Sequence, residues 1–337
     1  MAGKIVCFGE VLLRLSAPGR ELLLQSPTLD ACIGGAEANV AVALAHLGED
    51  ARMISVLPDN ALGRAARDAL RRYGVDVSGI RWAKGRMGVY YLTHGAMLRP
   101  AEVLYDRAGS AFATVAEGLI NWDEALAGAH CLHMSGITPA LGPAGVREAM
   151  AAARAAERLG VPISMDGNYR AKLWEAWDGD SATILRALFG FARTAFADAR
   201  DIALVLGCSF EGEPQEQLRA AAAAAFQTFP RLDRLACTIR RQTSVDQHAL
   251  SAAMFTREAA FEARAYDLNG VVDRVGAGDA FVGAMLHALA RGMADQAALD
   301  FALAASVLKH SIPGDFNLVQ PTEIHALTAG EGLHVRR

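Results

Sequence analysis

Short apolar runs alternate with longer amphipathic stretches along most of the chain. The runs KIVCFG, ARMISVL, HCLHMSG, PISMDGN, TAFAD and RLACTI are bounded by turn-forming or charged residues and predict β-strands. Helical patterns lie between them. In AEANVAVALAHLG, Val40, Leu44 and Leu47 recur on one face and Gly48 follows as a stop. In GPAGVREAMAAARAAERLG, the apolar positions are Val146, Met150, Ala153 and Leu159, with Gly160 as terminator. The alanine run 220–225 reads as plain helix. Strand, helix and strand in repeated succession predict an α/β fold around a central, mostly parallel sheet.

Two regions break this rhythm. Residues 10–36 and 84–112 carry the extended, β-prone pieces EVLLRLSA, MGVYYLTH and EVLYDR with no helix between them, which predicts hairpins instead of crossover units. Strands projecting from a parallel sheet can form a small β-sheet lid over the carboxyl ends of its strands, where open α/β sheets bind ligands. The expected organisation is a single domain over 1–337 with both lid segments inserted in it.

Composition then removes several classes of function. With 52% hydrophobic residues, 21% charged residues and a net charge of -4 over 337 residues, the chain is neither a disordered segment nor an electrostatic binder of nucleic acid. Any anion it holds needs a local site. The five cysteines (Cys7, Cys32, Cys131, Cys208, Cys237) are scattered without a CxxC pair, which fits reduced thiols. The run IVCFG is too brief for a signal-peptide core and no later run has the length of a membrane span, so a soluble, cytoplasmic protein without a membrane partner is expected. His130 and His133 share an apolar strand with no third ligand nearby, and no GxSxG elbow occurs.

The richest chemistry lies in DRVGAGDAFVGAM, residues 273–285. Asp279 sits in the mouth of a helix whose inward positions are Phe281, Met285 and Leu289, followed by Arg291 and Gly292 at its end. On local grounds Asp279 is a helix cap. Alternatively, Gly276, Ala277 and Gly278 let backbone approach a ligand, so that N–H groups and the positive helix end hold an anion beside a carboxylate base. The segment lacks the third glycine of a dinucleotide fingerprint, since position 281 is Phe281, and has no Walker lysine.

Taken with IGGAEANVAVALAHLG, this segment resembles the C-terminal signature of the ribokinase-like (PfkB) carbohydrate kinases, whose N-terminal signature the first segment matches in order and separation. The resemblance implies a three-layer α/β/α fold, ATP and Mg2+ as cofactors, Asp279 as the base that takes the proton from the attacking sugar hydroxyl, and the amides of Gly276, Ala277 and Gly278 as an anion hole. It also implies a homodimer or higher homo-oligomer paired through the lid, and a monovalent cation such as K+ near the backbone of Asp273. DRVG, where most members have Asp then Thr, and LKHSIPGDFN at 308–317 are similar to the 2-keto-3-deoxygluconate kinase subgroup, which phosphorylates the C6 hydroxyl of that sugar acid.

A sugar acid carries a carboxylate, and a guanidinium fork matches carboxylate geometry. Arg107 in LYDRAGSA and Arg170 in MDGNYRAKLW match the arginines that bind the acid in that subgroup. Tyr90 and Tyr105 match its tyrosine contacts, Gly34 a backbone contact and Asn39 a hydroxyl contact. The bland readings are a solvated strand-edge charge for Arg107, a salt bridge to Asp166 or Glu175 for Arg170, sheet packing for the tyrosines, a helix-surface residue for Asn39 and a turn for Gly34. On the nucleotide side, Asp198 and Asp201 stand where the family has Asn-x-x-Glu. Asp201 is the candidate for indirect Mg2+ contact, against a plain helix cap followed by a first-turn acid. Arg240 or Arg241 in TIRRQTSVDQ is a phosphate candidate, and Asp315 and Asn317 are polar groups for the nucleotide pocket. The rival readings are a ribokinase-like kinase of a neutral sugar or nucleoside, in which both arginines are dispensable, and a non-catalytic sugar-acid sensor, in which Asp279 has no purpose.

Overall fold

The computed structural model describes residues 3–330. Its strands are β1 (Lys4–Phe8), β2 (Leu12–Ser16), β3 (Asp30–Gly34), β4 (Ala51–Pro58), β5 (Ile80–Ala83), β6 (Gly88–Thr93), β7 (Glu102–Asp106), β8 (Ala129–Ser135), β9 (Ile163–Asp166), β10 (Ala192–Phe196), β11 (Arg234–Gln242), β12 (Gln247–Phe255) and β13 (Ala260–Asn269). Nine of them form one sheet in the order β13-β12-β11-β10-β9-β8-β1-β4-β5. All neighbours from β11 to β5 pair in parallel. The six apolar runs expected as strands are all in it. The antiparallel additions β12 and β13 extend one edge and carry no comparable sequence signal, because β13 reads AFEARAYDLN and is largely exposed.

Alternation along β1 explains the layers. Val6 and Phe8 enter one core, with Leu132, Met134 and the helix Pro143–Leu159; Ile5 and Cys7 enter the other, with the helices Ala36–His46, Ala277–Ala290 and Asp295–Lys309. Burying a side chain such as Phe8 or Leu44, each at 0% exposure, contributes about 2 kcal/mol. The helix Ala277–Ala290 is buried from Ala280 to Ala288, and a Cβ at Gly283 would lie 2.9 Å from the Ala43 methyl. That close crossing brings the two signature helices together. Phe281 and Met285 are buried as expected, while Leu289 is only half-buried.

The helix Pro143–Leu159 corrects a detail of the pattern. Its buried face is made of Ala149, Ala152, Ala153 and Ala156 with Glu148, whereas Val146 and Met150 are half-buried and Leu159 is 45% exposed. Small residues let the helix lie close on the sheet, so larger apolar side chains were displaced to its flanks. Glu148 is tolerated inside because it accepts from Trp122 Nε1 at 3.1 Å.

The remaining four strands form a second sheet in the order β3-β2-β6-β7, built from the two segments that broke the helical rhythm. β2–β3 and β6–β7 are antiparallel hairpin pairs, and β2 and β6 join them in parallel. One face meets the loops beside the helix Ala277–Ala290. Half-buried Leu13, Leu15, Ile33, Val89 and Tyr91 and the exposed Leu104 share the other. No helix among the described residues is long and apolar enough to cross a membrane.

Candidate active site

The loop 273–276 enters the helix Ala277–Ala290 through Gly276, which has φ 79° and whose Cβ would collide with the carbonyl oxygen of Asp315. Only glycine fits there. No side chain caps this helix. Asp279 lies in its first turn, but its Oδ2 accepts from Asn39 Nδ2 at 2.6 Å on the neighbouring signature helix, so the capping account of Asp279 is excluded. Of the three anion-hole candidates, the Ala277 amide turns back to the Arg274 carbonyl at 3.3 Å. The orphan donors of this helix end are then the amides of Gly276, Gly278 and Asp279, and Gly278 is exposed with nothing within 4 Å of a Cβ built on it.

Asp279 keeps partial solvent contact next to the exposed Gly278, yet protein crowds it on most sides. That burial pushes its carboxyl up to about 7; the Asn39 hydrogen bond opposes the shift, the acids Glu37 and Asp315 add to it, and Arg170 lowers it. A base poised near neutral pH is suited to proton transfer. Behind it, Glu37 is buried, accepts from Ser135 Oγ at 2.5 Å, and has its own carboxyl raised by burial. Gly9 is required at this point because a Cβ there would strike the Glu37 carboxylate.

On the small-sheet side, register decides what faces the site. Cys32, Arg14, Tyr90 and Tyr105 stand in one row across β3, β2, β6 and β7. Tyr90 donates to Asp315 Oδ2 at 2.6 Å, and its ring centroid lies 6.4 Å from that of Tyr105. Arg14 Nη2 donates to Asp273 Oδ2 at 2.9 Å, and its Nη1 sits 2.9 Å from Asp315 Oδ1 as an ion pair that lacks the alignment of a hydrogen bond. Gly34 ends β3 directly against the Asp315 carboxylate, where a Cβ would collide.

Asp315 was expected at the nucleotide. It is instead 2% exposed, with its carboxylate committed to Arg14 and Tyr90. Asn317, the other expected nucleotide group, is also 2% exposed and accepts from the Val319 amide at 3.3 Å. In this fold the side chains of both are committed to protein partners. Arg107 is likewise no solvated edge charge: it is buried, its Nε donates to Glu10 at 2.8 Å, and Ser110 Oγ donates to the other Glu10 oxygen at 2.5 Å. Its guanidinium carbon lies 5.7 Å from the Tyr105 ring centroid.

The opposite side is a cleft of about 760 Å³ at the carboxyl ends of β9, β10 and β11, lined by Asp166, Arg170, Asp198, Asp201, Arg240 and Gly278 among others. Arg170 is exposed, bonds only the neighbouring Tyr169 carbonyl, and forms no ion pair among the described residues. Neither Asp166 nor Glu175 holds it. Asp201 and Asp198 form the capping box that their spacing allowed: the Asp198 amide donates to Asp201 Oδ2 at 3.1 Å and the Asp201 amide to Asp198 Oδ1 at 3.0 Å. Even so, burial and the Asp198 charge push the Asp201 carboxyl up to about 6. Among the described residues no three ligating side chains gather as a metal cluster. Arg240 is exposed and points one nitrogen at His310 Nε2, 3.4 Å away; Arg241 is exposed.

This geometry joins a poised carboxylate, an open helix end and cationic walls. The profile of the pfkB family carbohydrate kinases matches residues 2–318. The chain belongs to that family. It is 33% identical over 332 residues to the 2-dehydro-3-deoxygalactonokinase of Haloferax volcanii, covering 98% of each chain. The crystal structure of 2-dehydro-3-deoxygluconokinase from Thermotoga maritima superposes with a TM-score of 0.93 at 38% identity, over 98% of this chain and 99% of that one. Fructokinase from Xylella fastidiosa, solved with bound ATP, shares the fold with a TM-score of 0.79 at 23% identity, over 98% of this chain and 99% of that one.

Sequence reasoning passed over several groups of this kinase. Asp166, at the end of β9, has its carboxyl held well above the usual range by burial, then by Asp279 and Asp201. It ends the run PISMDGN at a strand's carboxyl end, which is the signal that could have found it. Glu10, Arg14, Glu37 and Lys309 give no such signal, since their burial arises only when segments hundreds of residues apart are packed.

Proposed function

We propose that this carbohydrate kinase transfers the γ-phosphoryl group of ATP to the C6 hydroxyl of 2-keto-3-deoxygluconate, releasing 2-keto-3-deoxy-6-phosphogluconate and ADP. The observation that carries the reading is Asp279, a carboxylate raised to about 7 and aimed by Asn39, beside the unpaired amides of a helix end. Asp279 accepts the hydroxyl proton as the oxygen attacks the γ-phosphorus and the bond to the β-phosphate oxygen breaks. The amides of Gly278 and Asp279 and the positive helix end stabilise charge on the transferring group.

The acid end of the substrate is read by Arg107 and Arg170, one on each side of Asp279, with Tyr90, Tyr105, Asn39 and the Gly34 backbone as further contacts. Arg170 is the stronger support, because it lies free of any carboxylate in a protein where most arginines are paired. ATP fits the cleft of about 760 Å³, with Arg240 toward its phosphates. Asp201 and Asp166, whose carboxyls are raised by burial and by neighbouring acids, would face a Mg2+ ion there indirectly, and the ion would offset charge on the phosphates. The small sheet acts as the lid that excludes water. Its apolar outer face supports pairing of two copies, and five free cysteines fit a cytoplasmic setting.

The test is ATP-dependent ADP release on 2-keto-3-deoxygluconate, its galactonate epimer, gluconate, fructose, ribose and adenosine. Turnover confined to the two keto-acids supports the reading, and their ratio assigns the epimer. Turnover on fructose or ribose overturns the acid pocket. Sugar-acid binding with no turnover would leave a sensor.

A further inference from the structure

Beneath the anion-hole loop lies a buried charge cluster that none of the steps above uses. Arg14, Asp273, Lys309 and Asp315 are each 4% exposed or less. They come from β2, the loop before the helix Ala277–Ala290, the end of the helix Asp295–Lys309 and the loop after it. Two carboxylates and two cations leave the cluster neutral. Lys309, at 0% exposure, donates Nζ to the Ile312 carbonyl at 2.9 Å; burial lowers its ammonium while Asp273 and Asp315 hold it up.

A monovalent cation near Asp273 does not fit these residues. Such an ion is held by a shell of oxygens, and here both carboxylate oxygens of Asp273 and the Ile312 carbonyl already accept from N–H and ammonium donors. Asp273 Oδ1 accepts from the Val275 amide at 3.0 Å, and Oδ2 accepts from Arg14 Nη2 at 2.9 Å and from the Gly314 amide at 3.1 Å. The Ile312 carbonyl accepts from Lys309. A further positive charge would also meet two fixed cations in a poorly solvated interior.

We infer that Arg14, bonded to Asp273 and paired with Asp315, ties the 273–276 loop to the 312–315 loop while the buried Lys309 ammonium occupies the Ile312 carbonyl beside them, and that with these built-in cations this kinase needs no monovalent metal ion there. The contact between the two loops is tight, since the Asp315 carbonyl touches Gly276, the residue that starts the anion-hole helix. Lys309 and Arg14 are positioning residues. The inference rests on the kinase reading only for its activity arm, because the stability arm needs no substrate.

The experiment compares KCl, NaCl and tetramethylammonium chloride at equal ionic strength, measuring the Tm of ligand-free protein and its turnover with ATP and a keto-acid. The wild type is expected to show the same Tm in all three salts and turnover equal within about twofold, because an ion bound only by the folded state would raise Tm with its concentration. Lys309→Met is expected to lose stability and to gain a Tm and turnover that rise with K+ but not with tetramethylammonium. Lys309→Gln, which can still donate to the Ile312 carbonyl, is the second variant should the first not fold, and is expected to gain the same dependence. A K+-specific rise in wild-type Tm, a tenfold or greater K+ activation of the wild type (on the scale of about 1.4 kcal/mol), or a folded variant indifferent to K+ would each overturn the inference. Absence of turnover on every substrate, with a salt-independent wild-type Tm, would count against the substrate assignment and leave the built-in cation standing.

Discussion

The two sides of Asp279 are built on different electrostatic plans. Toward the small sheet, the charges that face the site are buried and matched: Arg107 with Glu10, Arg14 with Asp273 and Asp315, and Tyr90 on Asp315. Toward the cleft at the strand ends, Arg170 and Arg240 are exposed, and the acids Asp166 and Asp201 have raised carboxyls and form no salt bridge among the described residues. The first side is organised before any ligand arrives. The second is an unfinished charge distribution that a polyanion and its metal can complete. Paired interior charges add little net stability but are costly to break, whereas an exposed lone arginine costs little to remove and is free to bind.

The largest expected effect is at the point where the two sides meet. Asp279→Asn should lower kcat by about 10³-fold, within the usual contribution of a positioned base, while sugar-acid binding by calorimetry is retained. Turnover near the wild-type level would remove Asp279 from the base role and dissolve the comparison. The same variant should be more stable than the wild type above pH 7. The folded-state carboxyl titrates near 7 against an ordinary value of 3.8, so the folded protein binds the extra proton and stability falls as pH rises through that window. The amide removes that loss.

The two arginines should then separate by readout. Arg107→Ala leaves Glu10 buried without its partner and should cost about 3–5 kcal/mol of stability, seen as a lower urea midpoint, together with a higher KM for the keto-acid. Arg170→Ala should leave the urea midpoint unchanged and raise KM for the keto-acid by about 10- to 100-fold, the worth of a hydrogen bond to a charged group. Equal loss of stability in both would mean that the cleft is as tightly organised as the small-sheet side.

A smaller effect sharpens the electrostatic link across the site. kcat/KM should fall as pH drops below about 7, because the proton acceptor must be ionised. Since Arg170 lowers the Asp279 carboxyl, Arg170→Gln should move that limb to higher pH, and an unmoved limb would place the titration on another group.

Much of the fold was legible along the chain because parallel strands buried on both faces are continuous apolar runs, and the helices between them end in glycines such as Gly160, with φ 69°. The edge strand β13 was not, since it is largely exposed and buries too little to leave a pattern. Asp279, Asn39 and Arg170 were legible from motif and position. Asp315 and Asn317 were named as polar groups of their loop, but their burial was not legible.

The sequence by itself determined the parallel α/β core, the two helix-free segments of the small sheet and the two signature segments of the family, because those follow from local periodicity and contiguous residues. Tertiary structure alone decided which charges are spent on one another. Arg14 meets Asp273 across 259 positions, Tyr90 meets Asp315 across 225 and Asn39 meets Asp279 across 240. A side chain's partner, its burial and hence its pKa are properties of the packed interior, where the dielectric is low and geometry selects the pairs.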